Sequence, residues 1–78
     1  LAVFPNPTQD GKVVVALPRH EYQGVLSVHD SYGRLLDRIS VPPHLSTIPI
    51  ELKAASVGLY FMQFTSGALR QSVRLIRH

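Results

Sequence analysis

The chain has 78 residues, which is enough for one domain. Folding of a domain of this size buries roughly 60–65% of the surface that the unfolded chain exposes, so its core is modest. It contains no cysteine, which excludes disulfides, cysteine zinc sites and thiol nucleophiles, and it has no apolar run of the ~18 residues that a membrane helix needs. The net charge of +3 is uneven, because no acid follows Glu51 while the last nine residues hold Arg70, Arg74, Arg77 and His78.

Glycine and proline divide the chain into seven short apolar segments, spaced by about ten residues. The predicted strands cover residues 2–4, 12–17, 25–30, 34–41, 46–52, 59–65 and 68–76. Turn signals such as Asp10-Gly11 and Ser66-Gly67 precede them. The pattern predicts one all-β domain over residues 1–78, folded as a β-sandwich.

Two of these segments, residues 32–39 and 69–76, also fit a helical stripe. Gly33 interrupts the first, and the second alternates as a strand would. Periodicity alone does not decide between helix and strand there, and the five clearer strands favour β. Residues 51–56 are predicted to form a single helical turn.

Alternation within the strands predicts which side chains form the core. The second and third strands each contribute one face to it: Val13, Val15 and Leu17, then Leu26 and Val28. Both faces of the sixth strand are mostly apolar, which predicts a central strand that is covered on both sides or lies against a neighbour. Pro49 has no backbone N–H, so the fifth strand is predicted to be an edge strand.

The segment from Asn6 to Gly11 reproduces the first half of a calcium loop, with oxygen-bearing residues at alternate positions before a glycine. Only Asp10 among them is a carboxylate, and Leu17 stands where the loop requires a bidentate Glu. We therefore predict an Asx turn between the first two strands and no metal site.

The four histidines show neither metal-ligand spacing nor a catalytic arrangement: His20, His29, His44 and His78. In the run His29-Asp30-Ser31, neighbouring side chains of a strand point to opposite faces, which excludes a local triad. We predict solvated or half-buried histidines, no cofactor and no enzymatic activity.

The candidate patch for base stacking is Tyr32 beside Arg34, with His20 and Tyr22 nearby. No RNA-binding motif accompanies these residues, so nucleic acid is not a predicted partner. We favour the alternative that most of the aromatic residues belong to the core and do not bind a ligand.

Two glycines and one tyrosine are predicted to serve the fold. Gly33 suits a turn residue with positive φ, and Gly58 permits a tight entry into the sixth strand or a close backbone approach. Tyr60 needs a partner for its hydroxyl once its ring is buried.

Three blocks occur in a fixed order along the chain. The first is Phe4-Pro5-Asn6-Pro7, which precedes a turn and a Val-rich strand, and the second is Asp30-Ser31-Tyr32-Gly33-Arg34. The third is Gly58-Leu59-Tyr60-Phe61, followed by a basic, apolar segment over residues 72–78. Together they resemble the C-terminal sorting domain of cargo carried by the type IX secretion system of Gram-negative bacteria.

This resemblance implies an immunoglobulin-like sandwich of seven antiparallel strands at the C-terminus of a larger exported protein. It implies a non-enzymatic signal that directs its parent across the periplasm and through the outer-membrane translocon to the cell surface or the extracellular space. In many such cargoes a sortase-like peptidase removes the domain and joins the parent to anionic lipopolysaccharide. The expected partners are therefore the type IX translocon, that peptidase and the lipopolysaccharide, without a membrane-spanning segment.

The resemblance also assigns roles to residues of this chain. Those expected to be recognised by the translocon lie in the last two strands: Gly58, Tyr60, Gly67, Arg70, Arg74, Leu75 and Arg77. Those expected to shape the family's motifs lie earlier: Pro5, Asn6, Pro7, Asp30, Gly33 and Arg34.

Two alternatives stay open. One is a retained surface-anchoring domain of a component of the secretion machinery. The other is an adhesive or carbohydrate-binding sandwich, for which Tyr22 and Tyr32 are the candidate aromatic platform. Because the sequence starts at Leu1 and not at Met, we expect it to be a fragment of a longer protein.

Overall fold

The computed structural model describes residues 1–53 and 56–78. Within those residues the chain forms strands alone, and it contains no helix that could span a membrane. The seven strands are β1 (Ala2–Phe4), β2 (Lys12–Ala16), β3 (Gly24–Asp30), β4 (Leu35–Val41), β5 (Thr47–Glu51), β6 (Gly58–Ser66) and β7 (Leu69–Arg77). Each strand begins and ends within one residue of its predicted bounds.

The strands form two antiparallel sheets, one ordered β1-β2-β5 and the other β4-β3-β6-β7. Immunoglobulin domains likewise pair their second and fifth strands in one sheet and place the last two beside the third in the other. The predicted immunoglobulin-like β-sandwich is confirmed, and the helical alternative for residues 32–39 and 69–76 is wrong. The helical turn predicted for residues 51–56 includes residues 54–55, which lie outside the described residues.

The core lies between the sheets and takes alternate side chains from both. Its buried apolar residues are Val3, Val13, Val15, Leu26, Val28, Val41, Ile50, Leu52, Tyr60, Met62, Phe64 and Leu75. The predicted faces of β2 and β3 are confirmed, except that Leu17, just beyond β2, is only half-buried. Full burial of a side chain such as Phe64 or Leu26 contributes about 1.5–3 kcal/mol each.

Two expectations about strand position are confirmed and one is refined. β5, which contains Pro49, is an edge strand, and β6 is central between β3 and β7. Only one face of β6 is covered, however. Tyr60, Met62 and Phe64 are buried, whereas Phe61 on the opposite face is 37% exposed.

The imidazole of His20 belongs to the core, contrary to the prediction of solvated or half-buried histidines. Its Nδ1 lies 2.8 Å from the carbonyl oxygen of Pro18, and its Nε2 lies 2.9 Å from that of Pro42. The ring meets Phe64 edge-on, with the centroids 4.9 Å apart. His20 therefore joins two connecting loops to the four-stranded sheet, and it is only 4% exposed.

Candidate recognition surface

All seven residues expected to be recognised by the translocon lie on the hairpin formed by β6 and β7. The two strands pair in an unbroken antiparallel register, from Gly58 opposite Arg77 to Ser66 opposite Leu69. Gly67 opens the connecting turn with φ 58°, a conformation that glycine adopts without steric cost. The hairpin occupies one side of the four-stranded sheet, and β7 forms its edge.

These residues do not share one surface, because alternation along the strands separates them. Tyr60 and Leu75 are paired across the hairpin and are both buried, so they face the core. Arg70 and Arg74 are exposed on the outer face of the sheet. Arg77 is half-buried, and its guanidinium lies against the backbone of Gly11.

Gly58 and Tyr60 have clear structural roles in this hairpin. Gly58 has φ 149°, and no described residue lies within 4 Å of the position that a Cβ would take. The positive φ supports the tight entry into β6, and no close backbone approach occurs among residues 1–53 and 56–78. The Tyr60 hydroxyl donates to the carbonyl oxygen of Ser56 at 2.6 Å, which supplies the partner expected for it.

The block Asn6-Pro7-Thr8 forms hydrogen bonds along the outer edge of β7. Nothing in the sequence indicated this contact. The Asn6 side chain donates from Nδ2 to the carbonyl of Arg74 at 2.8 Å and accepts at Oδ1 from the N–H of Ile76 at 3.0 Å. The N–H of Thr8 donates to the carbonyl of Ile76 at 2.8 Å, and the N–H of His78 donates to the carbonyl of Thr8 at 2.9 Å. We call these four hydrogen bonds the N-terminal clamp.

The clamp covers only half of the edge. In an antiparallel pair the backbone groups of alternate residues point away from the neighbouring strand, and here those of Arg74, Ile76 and His78 point outwards to the clamp. The same alternation points the groups of Arg70 and Ser72 outwards. Among the residues that the structure describes, no backbone hydrogen bond reaches those two. The N-terminal amine of Leu1 donates to the side-chain oxygen of Gln71 at 2.6 Å, but it does not reach these backbone groups. We call residues 70–72, with their unpaired outward backbone groups, the open edge.

The turn between β1 and β2 uses its polar groups internally. The carboxylate of Asp10 accepts from the N–H of Lys12 at 2.9 Å and from the Thr8 hydroxyl at 3.3 Å, while that hydroxyl accepts from the N–H of Gly11 at 3.2 Å. The Lys12 bond, opposed by partial burial, holds the pKa of Asp10 below its ordinary value of 3.8. The Asx turn is confirmed. Within residues 1–53 and 56–78, no three His, Asp or Glu side chains approach closely enough to hold a metal.

The middle block is a tight turn organised by Asp30. Its Oδ1 accepts from the N–H groups of Tyr32 at 2.9 Å and Arg34 at 3.0 Å, and its Oδ2 accepts from Nε of Arg34 at 2.7 Å. Burial of Asp30 raises its pKa, but these hydrogen bonds outweigh it and leave the pKa below its ordinary value of 3.8. Gly33 has φ 81°, as predicted. Asp30 is paired with Tyr60 of β6, so this turn packs beside the first residues of the β6–β7 hairpin.

The candidate stacking patch, which the sequence did not favour, is not assembled. Tyr22 precedes β3 and Tyr32 follows it, so the two exposed rings lie beyond opposite ends of a seven-residue strand. His20 is buried against Phe64. Tyr32 instead lies under the guanidinium of Arg34, 5.6 Å from its ring centroid. The same separation contradicts a joint carbohydrate platform of Tyr22 and Tyr32.

Comparison with known proteins agrees with this architecture. A family model described as "Secretion system C-terminal sorting domain" matches residues 2–78. No curated protein matches the chain. The family consists of sorting signals and is not a catalytic one; its members work with the type IX secretion system, which implies export to the cell surface or the extracellular space. Because the match covers nearly every residue, the chain belongs to the type IX secretion system C-terminal sorting domain family.

Proposed function

We propose that the type IX translocon recognises this domain through the edge strand β7, and that the rest of the fold presents that strand. The observation that carries the proposal is the open edge at residues 70–72 beside the clamped residues 74–78. An open edge offers backbone donors and acceptors to a strand of another protein, which is a common way of binding an extended segment.

The charge of β7 adds to this edge. Arg70 and Arg74 are exposed on the outer face, and neither forms an ion pair with a described residue. Arginine donates in a planar fork that suits carboxylates, so these side chains favour an acidic partner. The buried residues of the hairpin, Tyr60 and Leu75, then act by holding the edge in position.

The wider role is part of the same proposal, and membership of the sorting-domain family supports it. The domain is a non-enzymatic C-terminal signal of a larger protein that enters the periplasm by its own N-terminal signal. The folded domain takes its parent through the outer-membrane translocon. A sortase-like peptidase then removes it, and the parent is joined to anionic lipopolysaccharide.

The experiment that tests this proposal fuses residues 1–78 to a periplasmically exported reporter in a type IX-competent strain. Display on the surface that is lost in a translocon-null strain supports the sorting role. Reporter that stays folded in the periplasm of the competent strain contradicts it. The mass of the displayed reporter separates removal by a peptidase from retention of the domain.

Two variants test the edge itself. Ser72→Pro removes an outward N–H without touching the pairing of β7 with β6, and proline is tolerated at strand edges. The double change Arg70→Glu with Arg74→Glu reverses the charge of β7. Both variants are expected to fold and to lose display, whereas Lys12→Glu on the other sheet keeps it. Normal display of both variants would show that the β7 edge is not the recognised element.

A further inference from the structure

The outer face of the four-stranded sheet carries exposed apolar side chains that lie outside the core between the sheets. Phe61 is 37% exposed, Ile76 42% and Leu35 53%, and Leu59 lies half-buried beside them. Leu59 pairs directly with Ile76, and Phe61 lies two residues further along β6 on the same face. Leu35 lies two strands away from Phe61, with the half-buried His29 between them. We call these four residues, Leu35, Leu59, Phe61 and Ile76, the apolar patch.

The charged side chains exposed on the outer face around the patch are basic, and Asp30, which lines the same cavity as Leu59, is paired with Arg34. Arg74 is paired with Phe61, while Arg38 and Arg70 are exposed on the same face at its two sides. All five acids of the chain lie elsewhere: Asp10 and Glu21 in loops, Glu51 on the other sheet, and Asp30 and Asp37 opposite residues whose side chains face the core. A partner with carboxylates around an apolar centre would therefore match this face in both polarity and charge.

We propose that the outer face of the four-stranded sheet is a second docking surface, which binds an acidic protein surface with exposed apolar side chains. This surface shares Arg70 and Arg74 with the edge strand, but it binds through side chains of the outer face, whereas the open edge of β7 offers backbone groups. With strands ~4.8 Å apart and ~3.3 Å per residue, the patch and its surround cover roughly 15 by 20 Å. An interface of that size suits a complex that forms and dissociates readily.

Other occupants fit the face less well. A second copy of the chain would bring Arg38, Arg70 and Arg74 against the same residues, and like charges would repel. The side chains of Phe61 and Ile76 are more than half covered, which leaves little apolar surface to insert into a bilayer. A nucleic acid would use the arginines but would leave the aliphatic groups without a partner.

The test is an NMR titration of the ¹⁵N-labelled chain with a random copolymer of Glu and Tyr. The amides of Ser27, His29, Phe61 and Arg74 are expected to shift, and Phe61→Ser is expected to weaken binding by about tenfold. Phe4→Ser removes a phenylalanine of comparable exposure from the outer face of the other sheet and is expected to leave the affinity unchanged. Should Phe61→Ser unfold the chain, the exposed Arg38→Glu serves in its place.

Control ligands decide between the classes of partner. Polyglutamate without tyrosine is expected to bind several-fold more weakly, because it supplies the charge alone. Three results would overturn the proposal: a copolymer that leaves these amides unchanged, equal weakening by Phe4→Ser, and shifts produced by anionic phosphatidylglycerol vesicles but not by the copolymer.

Discussion

The side-chain amide of Asn6 and the backbone N–H of Ile76 are joined by a 3.0 Å hydrogen bond, although 70 residues separate them in the chain. The carboxamide of Asn6 has the shape of a peptide unit, with one acceptor and one donor side by side. It uses both, since Nδ2 donates to the carbonyl of Arg74. The Asn6 side chain thus forms, at the edge strand β7, the two hydrogen bonds that the backbone of a further strand would otherwise form.

Asn6→Asp is expected to destabilise the domain more than Asn6→Ala does. The aspartate is the same size but turns an acceptor towards the carbonyl of Arg74, whereas alanine only removes two solvent-accessible hydrogen bonds. We expect a loss of about 1 kcal/mol in the free energy of unfolding for alanine and about 1–3 kcal/mol for aspartate. Urea denaturation measures both, with the exposed Gln9→Ala as the control. Equal stability of all three variants would mean that the two hydrogen bonds of the Asn6 side chain contribute nothing to the N-terminal clamp.

Gly24→Ala is expected to be far more damaging than Gly33→Ala. A Cβ on Gly24 would lie 2.6 Å from the ring of Phe64 and 2.7 Å from the carbonyl oxygen of Thr65, so the backbone of β6 would have to move. At Gly33 a Cβ would have no described residue within 4 Å, so the cost of φ 81° is what remains. Thermal unfolding should show a loss above about 2 kcal/mol at Gly24 and about 1 kcal/mol at Gly33. The reverse order would contradict the packing described for Phe64.

Acid is expected to destabilise the domain through Asp30 and Asp10. The pKa of each carboxyl is lower in the folded than in the unfolded chain, so the folded protein binds fewer protons. Their contribution to stability is complete above the unfolded value of 3.8 and is lost as the pH falls below it.

The measurement is urea denaturation across pH 2–7. Asp30→Asn should flatten the acid limb of the stability curve, and adding Asp10→Asn should flatten it further. Glu51→Gln controls for the loss of one negative charge. An Asp30→Asn variant that keeps the full acid limb would rule out the turn as its source.

Tyr60→Phe is expected to weaken the fold without changing the outer face of the sheet. The ring stays in the core, but the carbonyl of Ser56 loses the hydroxyl that donates to it at 2.6 Å. The expected loss is about 1 kcal/mol in the free energy of unfolding. If Tyr60 acts only by holding the hairpin, surface display of the fused reporter should fall at high temperature and recover on cooling. Loss of display at every temperature, with the fold intact, would indicate direct recognition of the hydroxyl.

The strands were predictable because their signals are local. Gly58 and Gly67 stand at strand boundaries, Pro49 marks an edge, and alternation in β3 separates Leu26 from Ser27. Each of these features follows from the backbone requirements of a few neighbouring residues. The three family blocks were recognisable from their order along the chain. Recognising that order requires no knowledge of side-chain contacts.

The features that the sequence did not reveal depend on distant pairing. Asn6 meets β7 across 70 residues, and nothing near Asn6 signals that contact. His20 is buried because Phe64 and two proline carbonyls surround it. Phe61 could not be placed by alternation, because both faces of β6 are apolar. Only its neighbours His29 and Arg74 show that it faces outwards.

The N-terminal clamp has a consequence for how the domain is made. Thr8 is fully buried, and its backbone N–H and C=O are satisfied by Ile76 and His78, which are synthesised 68 and 70 residues later. In a chain that stops before Arg74, the buried N–H and C=O groups of Thr8 have no hydrogen-bond partners. The end of β7, along which residues 6–8 lie, is also missing. The N-terminal clamp therefore forms only after the last strand has been synthesised, so a truncated chain does not complete the fold of this sorting domain.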